Sequence, residues 1–161
     1  MLKKEIEQID RNIKKEIIDE LNATMEKRLQ EYEKRINEFN ESTNAKAFHL
    51  QGNLQREKEQ FQSALGDYMV AANSYYNCDD FQNLQTTLRL IDECISDLAL
   101  EEINDLKIIS NHDLDSLLSK MQEGDEKGML THLVRDIRLK LSKLPKTIKD
   151  KQVQSQPTQA K

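Results

Sequence analysis

Residues 45–72 read AKAFHLQGNLQREKEQFQSALGDYMVAA, and two incompatible packings fit them. In heptads, Ala47, Leu54, Phe61, Tyr68 and Tyr75 fall at one core position, and Leu50, Glu57, Ala64, Ala71 and Cys78 at the other. Only Glu57 offends, and residues 45–78 become one coiled-coil strand. In a helix–turn–helix, Gly52 and Ala64 let two antiparallel backbones approach while Phe48, Phe61 and Tyr68 wedge the outer gaps. A mid-helix glycine costs about 1 kcal/mol relative to alanine, and only the second packing gives Gly52 a use. Gly52 favours the hairpin, although Glu57-Lys58-Glu59 carries no turn signal.

Upstream, residues 2–41 hold no Gly or Pro and read as one helix. Leu2, Ile6, Ile9, Ile13, Ile17, Ile18, Leu21, Met25, Leu29, Tyr32, Ile36 and Phe39 recur at spacings of three and four. Several repeat eleven apart, as Leu2/Ile13 and Leu21/Tyr32 do, which keeps the stripe nearly straight. At 1.5 Å per residue such a helix is roughly 60 Å long, longer than a small domain covers. Its apolar face needs a partner. Residues 1–40 also carry nine basic and ten acidic side chains, the mixture of a solvated coiled-coil exterior. Ser42, Thr43 and Asn44 are N-cap residues and predict a new helix there.

Downstream, Asp79-Asp80 stop the pattern and cap a helix carrying Phe81, Leu84, Leu88, Ile91, Ile95 and Leu98. A weaker segment spans 99–109. Ser110 or Asn111 caps a helix with Leu114, Leu117, Leu118 and Met121. Gly124 to Gly128 read as a turn, and Met129, Leu130, Leu133, Val134, Ile137, Leu141 and Leu144 as a last amphipathic helix ended by Pro145. Residues 152–161 are apolar-poor and predict disorder.

The composition agrees with long solvated helices. Charged residues make up 33% and aromatics 5%, with four Gly and two Pro, too few turn residues for a β-protein. The net charge of −5 names no partner, but it is uneven. Residues 92–126 hold eleven acids against Lys107 and Lys120, and residues 135–151 hold seven bases against Asp136 and Asp150. Cys78 and Cys94 have no metal-ligand spacing and suit a reducing compartment. The N-terminus lacks the apolar run of a secretory signal, and no run approaches a membrane span. A cytoplasmic location is expected.

With Ala45 as its first position, the opening stretch resembles a tetratricopeptide repeat over about residues 45–98. Phe48 and Gly52 stand at the large and small sites of the first helix, and Phe61, Ala64, Tyr68 and Ala71 at those of the second. Gln51 and Gln55 replace the leucine and tyrosine, and Tyr76 the closing proline. The spacing returns after 20 residues, Phe81, Leu84, Leu88 and Ile91 echoing Phe61, Ala64, Tyr68 and Ala71, so helix 60–77 can serve two hairpins. The resemblance implies a concave face of first helices for a peptide, carried here by Lys46, His49, Asn53 and Arg56, with Asn73 and Asn77 from the overlapping unit. Asn53 matches a carboxylate-holding asparagine of some members, and His49 stands where their lysine would be.

His49, His112 and His132 lack partners at metal-ligand spacing, and no phosphate loop, nucleophile elbow or carboxylate pair occurs. Neither catalysis nor a metal or other cofactor is expected. Lys140, Lys143, Lys146 and Lys149 lack an aromatic platform, so nucleic acid is not an expected partner. The expectation is an all-α chain: a long coiled-coil-type helix (1–41), antiparallel helical hairpins of tetratricopeptide type (42–98), C-terminal helices (99–144) and a basic, disordered tail (145–161). Its function is expected to be protein–protein interaction as an adaptor or assembly factor. Ile13, Ile17, Leu21, Met25 and Leu29 would join a partner helix or a second copy. The alternatives are a secretion chaperone of the tetratricopeptide type, binding a client segment, and a component of a filament or phage-like assembly.

Overall fold

The computed structural model describes residues 1–98 and 114–154, with side chains described as far as Lys143. These residues form helices and turns, with no strand among them: α1 (Leu2–Glu57), α2 (Phe61–Asn77), α3 (Phe81–Asp97), α4 (Leu114–Glu123) and α5 (Thr131–Gln154). The segment 99–109 and the proposed caps Ser110 and Asn111 lie outside the described residues. By compactness the chain divides into Met1–Asn40 and Glu41–Lys161.

Met1–Asn40 is a stretch of α1 held by its own ladder and by pairs one turn apart. Lys14 Nζ meets Asp10 Oδ2 at 2.6 Å, Gln8 donates to Asn12 at 3.1 Å, and Lys34 Nζ lies 3.7 Å from Glu38 Oε1. Each such exposed pair adds about 0.2–0.5 kcal/mol to a helix.

The break expected at Ser42–Asn44 does not occur; α1 runs unbroken to Glu57. Cap-forming side chains start a helix only where backbone N–H groups are left without partners, and no Gly or Pro here interrupts the ladder. Asn44 instead uses its side chain across the bundle, Nδ2 donating to Ser74 Oγ at 3.0 Å.

The chain then turns at Lys58–Gln60, so residues 45–78 are a hairpin. Glu59 supplies the turn with φ +59°, in the left-handed region. Gln60 N–H donates to Gln55 O at 2.9 Å and Glu59 N–H to Arg56 O at 2.9 Å, the pair of bonds of a Schellman cap. Twenty residues on, Asp79 repeats it at φ +57°, with Asp80 N–H to Tyr75 O at 3.0 Å and Asp79 N–H to Tyr76 O at 3.3 Å. Asp80 then caps α3 by accepting Asn83 N–H at 3.2 Å.

The heptad packing would bury Leu50 and Leu54. They are 63% and 56% exposed, whereas Gly52 is buried and Phe48 packs against the core. The 20-residue echo survives in burial: Ala64/Leu84, Tyr68/Leu88 and Ala71/Ile91 are all core pairs, and Phe61 and Phe81 both pack at its edge. Leu114, Leu117, Leu118 and Met121 from α4, with Leu130, Val134 and Ile137 at α5, complete the core.

Polar contacts fix the neighbours within residues 41–154. Arg56 at the end of α1 reaches Glu93 and Asp97 on α3, and His49 reaches Thr87. Lys140 on α5 reaches Asp92 and Ser96, also on α3. Helix α3 therefore lies between the last turns of α1 and α5, all three running in one direction. Helix α2 pairs antiparallel with both α1 and α3, and Lys120 of α4 joins α2.

Helix α5 passes through Pro145, where the sequence predicts its end, and reaches Gln154. A proline removes one ladder bond and crowds the preceding turn, but its fixed φ is close to helical, so the helix continues beyond it. Residues 145–154 of the expected disordered tail are thus helical, and residues 155–161 lie outside the described residues.

Candidate interaction surfaces

Two surfaces carry the side chains that sequence reasoning singles out. The first is the apolar stripe on residues 1–40. Ile13, Ile17, Leu21, Met25 and Leu29 are 50%, 58%, 58%, 54% and 58% exposed. Leu84, Leu88 and Ile91 on α3 are fully buried by contrast. Fully burying a large aliphatic side chain contributes about 1.5–3 kcal/mol, so a stripe of this length stores a large driving force for association. Successive members of the five stand four residues apart, so each neighbours the next along the helix.

The second surface is the expected peptide groove, and five of its six residues form two separate groups. His49 Nδ1 lies 3.2 Å from Thr87 Oγ1, whose own proton goes to Asn83 O at 2.8 Å. With the Thr87 proton on Asn83 O, the Thr87 oxygen can only accept from a protonated His49 Nδ1. The His49 ring stands edge-on to Tyr68 and Tyr75, 6.0 Å from each centroid. Burial lowers its pKa.

Asn53 Oδ1 accepts the Tyr68 hydroxyl at 2.7 Å. Burial, above all, pushes the Tyr68 phenol up to about 12. Arg56 meets Glu93 at 2.6 Å and Asp97 at 3.0 Å, and its pKa is raised first by the Glu93 bond. These three residues lock α1 to α2 and α3.

Asn73 and Asn77 belong to the other group. Their Oδ1 atoms accept Lys120 Nζ at 2.9 and 2.8 Å, and that ammonium stands 5.2 Å from the Tyr76 centroid. Asn77 also donates to Glu41 at 3.3 Å. Lys46 is exposed on α1. The arrangement therefore joins helices, and the six side chains do not converge on one groove. Lys120 and Lys140, which organise these contacts, carry no local signal: their partners are 43 to 48 residues away.

Among the described residues no group of three His, Cys, Asp or Glu side chains could hold a metal ion. Burial pushes the Cys94 thiol up to about 11 and raises Cys78 as well, which disfavours thiolate chemistry at neutral pH. Among the described residues, no helix is long and apolar enough to cross a membrane.

No family model matches the chain, and no curated protein or solved structure matches it.

Proposed function

We propose that this chain is a non-enzymatic interaction protein, an adaptor or assembly factor, that binds a protein helix along the apolar stripe of residues 1–40. The observation that carries the reading is the exposure of Ile13, Ile17, Leu21, Met25 and Leu29 on one uninterrupted helix. Water surrounds side chains of a kind that elsewhere in this chain form a closed core, and an amphipathic partner helix is the surface that best removes them from it.

Residues 41–98 serve in this reading as a rigid hairpin module of the tetratricopeptide type. The left-handed turns at Glu59 and Asp79 and the buried Gly52 support the hairpin part of the resemblance. The chaperone alternative is less well supported, because His49, Asn53 and Arg56 engage other side chains of the same chain. The two free thiols, both with raised pKa values, suit a reducing cytosol.

The test compares wild type with an L21E/L29E variant as baits for proteins in a cell extract. Both substitutions fall at exposed positions and leave the core of residues 41–154 untouched. The reading expects wild type to retain at least one protein that the variant loses. An identical retained set, with the full chain also single in solution, would overturn it.

A further inference from the structure

We infer that residues 18–39 of α1 pair with the same residues of a second copy, as a parallel, in-register, two-stranded coiled coil. The inference rests on the reading of the stripe as a helix-binding face and names its partner.

Within the stripe, residues 18–39 also fit a seven-residue repeat, with six of its seven core positions apolar. Ile18, Met25, Tyr32 and Phe39 occupy its d positions, and Asn22, Leu29 and Ile36 its a positions. This segment is helical throughout, and its apolar a and d side chains are 54% to 71% exposed. Three heptads with charged flanks meet the pattern of a coiled coil.

The flanks decide the orientation. The e positions hold Asp19, Glu26 and Glu33, and the g positions Leu21, Arg28 and Arg35. In a parallel pair each g side chain faces the e side chain five residues on in its partner. Arg28 then meets Glu33 of the other copy, twice by symmetry, and no g–e pair brings like charges together. An antiparallel pair sets e against e and g against g, opposing acid to acid and Arg to Arg.

Asn22 points the same way. In a parallel pair the two Asn22 side chains meet each other at one a layer, where an amide fixes register and favours two strands. In an antiparallel pair a positions face d positions, so the two Asn22 side chains would be separated, each set against Tyr32 or Phe39 according to register.

The test uses the full chain. Sedimentation equilibrium is expected to give twice the 18.8 kDa chain mass. Arg28→Glu should weaken the dimer roughly tenfold, since like-charge pairs cost about what opposite pairs contribute, and R28E/E33R should restore it. Ile36→Cys should form an interchain disulfide under mild oxidation, because equivalent a positions approach within disulfide reach only in the parallel pair. Wild type, with Cys78 half-buried and Cys94 buried, is the control and should not cross-link.

A three-chain mass, a dimer without the Ile36→Cys cross-link, or indifference to R28E would each overturn the inference. So would a single-chain mass at every concentration. In that last case, a partner from the extract that L21E/L29E loses would leave the helix-binding reading standing, and an unchanged set would remove both.

Discussion

The ring of Tyr68 fills the space that a side chain on Gly52 would need: a Cβ there would lie 2.6 Å from Tyr68 Cε1 and 2.7 Å from Cδ1. Tyr68 cannot yield easily, being fully buried with its hydroxyl bonded to Asn53. Overpacking a core costs about 1–3 kcal/mol, while alanine returns about 1 kcal/mol of helix propensity. Gly52→Ala should therefore destabilise the chain by up to about 2 kcal/mol, read as a lower urea midpoint. An unchanged or higher midpoint would mean that the α1–α2 contact is looser than described.

The two turns predict the opposite sign. Glu59 and Asp79 hold left-handed φ values, a conformation that costs an L-residue about 1–2 kcal/mol and glycine little. The greater freedom of glycine in the unfolded chain removes part of that gain. Glu59→Gly and Asp79→Gly should each stabilise by about 0.5–1 kcal/mol in the same urea assay.

These sites show how far the sequence could be read. Gly52 signals close packing because glycine is costly anywhere else in a helix. The apolar positions of α2, α3 and α4 are legible by period alone. The turn at Lys58–Gln60 is not, because glutamate occupies the left-handed position where glycine is usual. Ser42–Asn44 mislead for a related reason, since cap residues report only a local preference and tertiary contact overrides it. The contacts of Lys120 and Lys140 are invisible because they join distant helices. The arm stripe is legible by period, and its exposure agrees with that reading.

Alkaline pH should weaken the fold. The Tyr68 phenol is raised to about 12 and the Cys94 thiol to about 11, chiefly by burial, from ordinary values of roughly 10 and 8.5. The folded form holds these protons after the unfolded form has lost them. Their contribution is complete below about pH 8.5 and falls as pH rises toward about 12. Phenolate absorbance should show the Tyr68 step near pH 12, or only on unfolding. Titration of Tyr68 near its ordinary value of about 10 with the fold intact would contradict this.

Asp125 should matter at the entrance to α5. It accepts the backbone N–H groups of Met129 and Leu130, each at 2.7 Å, and the Thr131 hydroxyl at 3.1 Å. Burial acts to raise its pKa, but these bonds outweigh it and hold the carboxyl below its ordinary value. The stabilisation is present above the ordinary pKa and fades as pH falls toward the depressed one. Asp125→Ala should cost about 1 kcal/mol at neutral pH and progressively less in acid, measured by thermal unfolding across pH.

Whether the exposed stripe is a face that pairs is read from amide hydrogen exchange of the full chain at two concentrations. Isolated helices gain little from propensity alone and depend on packing of their apolar face. Protection over residues 18–39 should rise markedly from nanomolar to tens of micromolar chain, while α2 and α3 exchange equally slowly at both. Protection over 18–39 that does not change with concentration would contradict the account.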